Sequence, residues 1–489
     1  MENLIVSEKK NFTLDKFNTS LKILTSSEIK SILNVSAKSV IGGVEHANNI
    51  LTCNGKVMVN VVYIDNEGEI KSAENAADFI EKQQLSANVS DLFAKDEIDV
   101  KIDNFSGTEI LCSVTHNTQI YGIYKHELAN FEKENTEFVL NKKELNLSTF
   151  VVSKGDDFVI AEEQESNIKN MQILSVNAKV LNQEVNAAVD KVVVDGKLLI
   201  ETIYKDEEGI SSMFKEIEFK HELEAVSVMP NMVSEVFVDV KNINVTPENK
   251  DDKTNIIYAI DARVKAYVYD EKTCEIATDM FSLENEIQNT YSYLELQNFS
   301  SKKNLQEVVM TSTDVSTIEN FDDIIAVFSP SFERESVINE EDKIYVGGKL
   351  HAQALYKSGE KFERLDVSSD VKIEVLKNAG ENFAELNSIA EISSFKVKAG
   401  KDLEVVFKLT LNVDFVKNIN ETYVKSYEIK DSKNKDDYGI KVYVAHEGET
   451  VFDVAKILSV KPEIIEEQNE IDGVFEEGEK IYVYSPISG

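Results

Sequence analysis

Residues 256–268 read IIYAIDARVKAYV, with Ile256, Tyr258, Ile260, Ala262, Val264, Ala266 and Val268 at every even position. Asp261, Arg263 and Lys265 fall on odd ones. Side chains of a strand point alternately to its two faces, so a period of two marks a strand with one buried face. Residues 57–63 (VMVNVVY) are apolar at every odd position, and residues 403–415 (LEVVFKLTLNVDF) repeat the pattern from Leu403 to Phe415. Asp65-Asn66-Glu67-Gly68 and Asp206-Glu207-Glu208-Gly209 supply turn chemistry. Few helical patterns are present to make parallel crossovers. The expected fold is therefore mainly β, built of antiparallel β-sandwich-like domains.

The landmarks recur. LNVSAK at 33–38 returns as LSVNAK at 174–179, an offset of 141. The same offset carries Gly55-Lys56 onto Gly196-Lys197, Tyr63 onto Tyr204 and Gly68 onto Gly209. A fixed period of this kind signals an internal repeat. A third, degenerate copy keeps Gly348-Lys349-Leu350 and Tyr356 at the same Gly-to-Tyr spacing, with Val327-Phe328-Ser329-Pro330 in place of the LxVxAK run. The Gly-Lys pairs read as turn-to-strand transitions. Boundaries are expected at 1–147, 148–300 and 301–430 for the three copies. A polar run from Lys430 to Asp437 reads as a linker to a separate module at 438–486.

A chain of 489 residues exceeds one core, and 42% hydrophobic content suffices for several. Acidic residues outnumber basic ones by 88 to 52, a formal charge of −36. Such a surface repels nucleic-acid phosphates and anionic lipid, and it suits a basic protein partner or serves solubility. Cys53, Cys112 and Cys274 are odd in number and lack a C-x-x-C, which points to a reducing compartment. The first residues carry no signal-peptide pattern, and no apolar run approaches the roughly 20 residues of a transmembrane segment. The expected location is cytoplasmic.

Catalytic patterns are missing from the sequence. Six histidines include no pair at metal-ligand spacing, and the Gly-Lys pairs are never followed by Ser or Thr, so no phosphate loop is formed. No metal, cofactor or catalytic residue is expected. The protein reads as a binding scaffold and not as an enzyme.

From residue 440 the order changes. IKVYVA (440–445) alternates as a short strand, and His446-Glu447-Gly448-Glu449-Thr450 turns the chain. Thr450 can cap a helix whose Val451, Val454, Ala455 and Leu458 form one apolar stripe. Pro462 opens a second helix through Ile464, Ile465 and Gln468. Asn469-Glu470-Ile471-Asp472-Gly473 ends it, and KIYVY (480–484) is a last strand. The expected order is βααβ.

Val444, Gly448, Thr450, Ala455, Asn469, Gly478 and Ile481 fit the outline of the LysM module, which this stretch resembles. The resemblance implies a shallow groove between the two connecting loops, with Gly448, Glu449, Thr450, Val451, Phe452, Asn469, Glu470 and Ile471 as its candidate residues. Gly448, Thr450 and Val451 also have a structural reading, since turns and caps need them in any case. LysM modules bind N-acetylglucosamine-containing peptidoglycan chains. Here eleven acidic residues face four basic ones over 438–485, which either follows the acidity of the rest of the chain or makes a surface of more use to a basic protein than to a neutral sugar.

The upstream LxVxAK run, the Gly-Lys strand, the following Tyr and the acidic turn resemble the SPOCS domain. Together with LysM they are similar to the SipL-like family of spore morphogenesis proteins. That likeness implies a sporulation scaffold in the mother cell, at the forespore surface. Its LysM groove would hold the coat-basement ATPase, a stage IV sporulation protein A-like partner, and tether the spore coat. The alternative is a peptidoglycan-binding cell-wall protein.

Overall fold

A computed structural model describes residues 4–129, 131, 137–207, 209–249, 253–318, 321–359, 361–398, 402–432, 439–469 and 473–484. These residues are mainly β, arranged in several small antiparallel sheets. The first group of strands comprises β1 (Leu4–Thr13), β2 (Phe17–Leu24), β3 (Ile29–Ala47), β4 (Ile50–Asp65), β5 (Ile70–Gln84), β6 (Val89–Ser106) and β7 (Glu109–Leu128). β3–β4–β5 form a meander, while β7 is flanked by β6 on one side and by β1 and β2 in succession on the other. The second group holds β8 (Phe138–Ser166), β9 (Gln172–Ala188), β10 (Lys191–Lys205), β11 (Ile210–Glu224), β12 (Val233–Asn249) and β13 (Thr254–Ser282). Its sheets are the meander β9–β10–β11 and the trio β12–β13–β8.

The third group holds β14 (Asn285–Asp314), β15 (Phe321–Asn339), β16 (Lys343–Ser358), β17 (Lys361–Leu376), β18 (Asn382–Val397) and β19 (Asp402–Ser432). Its sheets are β15–β16–β17 and β14–β19–β18. The three groups have one connectivity. β1 and β2 take the place that β8 and β14 fill in one piece, with a break at 14–16. β8 runs unbroken through 147–148 and β14 through 300–301.

Each alternating stretch lies on the central strand of a sheet and faces a core. Val57, Val59, Val61 and Tyr63 of β4 sit in one apolar cluster. The even positions from Ile256 to Val268 of β13 sit in a second, and the odd positions from Leu403 to Phe415 of β19 in a third. Burial on one face is what a period of two demands.

Two local readings are corrected. Gly55, Gly196 and Gly348 lie inside β4, β10 and β16, not at turn-to-strand transitions. The reason is an aromatic ring over each one. A Cβ would meet the Cζ of Phe79, Phe219 and Phe332 at 2.6, 2.5 and 2.7 Å respectively. The missing side chain makes room for the ring, which covers the backbone in return. The polar run at 430–437 also begins as strand, because Asp431 and Ser432 pair with Glu286 and Asn285. Residues 433–438 lie outside the described residues.

The three groups meet in a shared apolar hub. Leu33, Leu174 and Ala326, from the equivalent strands β3, β9 and β15, join Val62, Ile203 and Leu355 of β4, β10 and β16. At the opposite end the ribbons β1–β7, β8–β13 and β14–β19 extend further. Val6, Leu128, Leu145, Leu147, Leu294 and Leu296 close them into a second common cluster.

Gly196→Ala is expected to cost about 1–3 kcal/mol through the clash with Phe219, read as a lower urea midpoint. Gly439→Ala, whose Cβ would meet nothing within 4 Å, leaves the midpoint unchanged.

Candidate functional site

The last described elements are β20 (Ile440–Val444), α1 (Val451–Leu458), α2 (Pro462–Asn469) and β21 (Lys480–Tyr484), with β20 antiparallel to β21. Thr450 caps α1: its hydroxyl oxygen accepts from Asp453 N at 3.3 Å, and Asp453 Oδ2 accepts from Thr450 N at 2.9 Å. This reciprocal pair satisfies two free N–H groups at the helix start. Val451, Val454, Ala455, Leu458, Ile465 and Ile481 then fill the core between helices and ribbon.

Of the six described candidate residues, Gly448, Glu449 and Thr450 join the two connecting segments, while Val451, Phe452 and Asn469 serve elsewhere. Gly448 turns at φ 87°, a conformation that favours glycine, and its N–H donates to Phe475 O at 3.2 Å. The Glu449 carboxylate accepts from His446 N and from the Tyr443 hydroxyl, each at 2.9 Å. Its carbonyl accepts from Phe475 N at 2.8 Å. Thr450 caps the helix and bridges to Val474. Val451 is core. Asn469 braces β21: Oδ1 accepts from Tyr482 N and Nδ2 donates to Tyr482 O, both at 2.8 Å. Glu470 and Ile471 lie outside the described residues.

Phe452 faces away from the loops. It packs edge-on against Phe281 of β13, centroids 5.3 Å apart, in a cluster that also takes in Val139 and Leu283. One turn on, Lys456 donates to Asp279 Oδ2 at 2.5 Å. Asp279 Oδ1 in turn accepts from the Tyr291 hydroxyl at 2.7 Å and from Met280 N at 2.8 Å. Burial pushes the Asp279 carboxyl up, but the bonds from Lys456 and Tyr291 outweigh it and hold the group below its ordinary value. One face of α1 thus fastens the βααβ unit to the β-body. The loop residues His446, Glu447, Gly448, Glu476 and Glu477 stay exposed and strongly acidic.

Sequence reasoning missed a second feature. A cavity of about 640 Å³ lies among the three strand groups, lined in part by Lys38, Lys179, Glu235, Asp239, Glu385 and Asp414. Lys38 and Lys179 are the closing residues of the two LxVxAK runs. The Lys38 ammonium has no hydrogen-bond partner among the described residues, and burial pushes it down to about 8 against the pull of Asp239 and Asp261. Burial likewise pushes the Asp239 carboxyl up to about 6. Polar groups of both signs suit a hydrated interior more than an apolar ligand. The signal available was the recurrence of a lysine directly after an alternating LxVxA stretch.

No group of three His, Cys, Asp or Glu residues is placed to hold a metal ion among the described residues. The Cys53 thiol is pushed up to about 12 and Cys112 to about 11, chiefly by burial, which keeps both protonated. No described helix is long and apolar enough to cross a membrane.

Against known families, one segment matches. Residues 171–248 are similar to the family described as SipL, SPOCS domain. The match covers β9 to β12, the meander and one edge strand of the paired sheet, and it carries LSVNAK and Gly196-Lys197. No curated protein and no solved structure matches the chain. The SPOCS match makes the chain similar to a sporulation-related family.

Phe452→Ala is expected to cost about 3–5 kcal/mol, the usual range for a buried Phe, read as faster amide exchange across 451–458. In Lys456→Met the Asp279 carboxyl should titrate closer to its ordinary 3.8 by NMR. A carboxyl with a lowered folded pKa stabilises fully above its unfolded value, and that contribution vanishes as pH falls through the folded one. Docking of the unit is therefore expected to weaken only on acidification below about 4.

Proposed function

We propose that the chain is a non-enzymatic scaffold of spore envelope assembly. In this reading the SPOCS-like fold extends from the matched segment to all three strand groups, with units at 4–128, 138–282 and 285–432. The C-terminal βααβ unit is a LysM module that binds protein. The observation carrying the sporulation assignment is the SPOCS match at 171–248. What favours a protein ligand is the loop chemistry. Glu447, Glu476 and Glu477 are exposed, and the Glu477 carboxyl accepts from Glu447 N at 2.9 Å, so the acidic loops are held in place.

A basic protein face complements that charge, whereas a neutral glycan gains nothing from it. The partner proposed is the coat-basement morphogenetic ATPase, stage IV sporulation protein A-like, and the place of action is the mother cell at the forespore surface. The SPOCS body then acts as the anchor that holds the module outward, because α1 is fixed to β13 by Phe452 and Lys456.

The full chain, affinity-purified from sporulating cells, is expected to bring down the basement ATPase, and a chain truncated after residue 432 is expected to lose it. Sedimentation with purified sacculi at moderate salt, with no ATPase recovered, would overturn the assignment in favour of peptidoglycan binding.

A further inference from the structure

The two-stranded ribbon β20–β21 has two edges, and the chain treats them differently. Ala445 N donates to Glu479 O at 2.8 Å, which fixes the alternation along the antiparallel register. Tyr443 and Lys441 turn their backbone groups inward to Ile481 and Val483, while Ile440, Val442 and Val444 turn theirs outward. On the β21 side the outward groups are covered. Asn469 bonds both N–H and C=O of Tyr482, and Gln468 does the same for Tyr484, accepting from its N–H at 2.7 Å and donating to its C=O at 3.2 Å. Two side-chain amides thus imitate a neighbouring strand. On the β20 side no described residue does so.

The side chains at that open edge are apolar and exposed. Ile440, Val442 and Val444 are 58%, 55% and 51% exposed, and Tyr484 and Tyr482, opposite the first two, are 49% and 38% exposed. On the inner face Ile481 and Val483 are fully buried, and Tyr443 packs half-buried against the same core. Open, flat, apolar edges invite strand pairing, and proteins normally blunt them with charge, proline or a cover. β21 has its cover, and among the described residues β20 has none.

We infer that the outward edge of β20 takes up an extended segment of a partner protein as an added third strand. Main-chain bonds to Ile440, Val442 and Val444 hold the segment, and its alternate apolar side chains lie over the Val442–Tyr482 face. The remaining side chains of the segment are basic, because the described residues of the unit carry nine acidic groups against four basic ones. A glycan or a lipid surface offers no backbone groups to such an edge. This inference rests on the reading that the C-terminal unit is the partner-binding end of the chain, but it names the β20 edge in place of the loop junction.

The test uses the full chain and, as probe, a synthetic octapeptide of alternating valine and lysine. Saturating peptide is expected to slow amide exchange at Ile440–Val444 by about tenfold or more, with the 446–450 and 473–478 loops unchanged. Val442→Pro removes an outward N–H without touching the inward pairs, and should abolish the protection while exchange over 451–458 reports an intact fold. Val442→Lys, a safe surface change, should weaken peptide binding about tenfold through charge repulsion and lost apolar contact. Protection confined to the loops overturns the inference, as does protection that survives both variants or its absence in the unaltered chain. If the basement ATPase fails to co-purify while the peptide protects β20, the functional reading falls and the edge stands. Co-purification without protection of β20 by the bound ATPase gives the reverse.

Discussion

Leu33, Leu174 and Ala326 come from strands about 150 residues apart and meet in one apolar hub, and the rest of the body depends on that contact. Each meander would otherwise leave one face of its central strand in water. Val62, Ile203 and Leu355 are the side chains so placed, and each is worth about 1.5–3 kcal/mol when removed from solvent. Separating one group from the other two would expose that surface on all three. The hub therefore joins the three strand groups through one apolar cluster.

Polar contacts ring the hub and fix its register. Ser36 and Ser175 hydroxyls meet at 3.2 Å, Ser329 N donates to Glu201 at 2.8 Å, and Lys205 donates to Glu69 at 2.8 Å. Each joins two different groups. Apolar contact alone is non-directional, whereas these bonds permit few relative rotations. Immediately beyond them lie Lys38 and Lys179 and the polar cavity. A buried ammonium without a hydrogen bond is costly, and at Lys38 the charges of Asp239 and Asp261 offset part of that cost.

The alternating faces of β4, β13 and β19 were legible because each strand has one dry face, and a period of two is the direct imprint of that. The hub was less legible. Its trace is the short unbroken run Val61-Val62-Tyr63-Ile64, where both faces are buried; a period-two reading counts only half of such a run. The strand glycines were misplaced for a related reason, since nothing local reveals a Phe ring arriving from the adjacent strand. In the C-terminal unit the cap, the helices and the strands follow local rules and could be read from Thr450, Pro462 and the apolar stripe. Docking could not. Phe452 looks like any amphipathic-helix residue until Phe281, 171 positions earlier, is known to face it. The side-chain cover on β21 was equally hidden, because Asn469 and Gln468 act on backbone groups beyond their own turn.

α1 is shared between two cores, and this decides what the unit can offer a partner. Val451, Val454, Ala455 and Leu458 face the ribbon and α2, while Phe452 and Lys456, four residues apart and hence on one side of the helix, face the β-body. A helix buried on both sides cannot roll without breaking one of the two contacts. The loops and the β20–β21 ribbon, which have no such second contact among the described residues, are held at a set orientation to the body. The proposed scaffold role would draw on that property: a partner bound at a rigidly placed edge is positioned, whereas one bound to a freely swinging module is only captured.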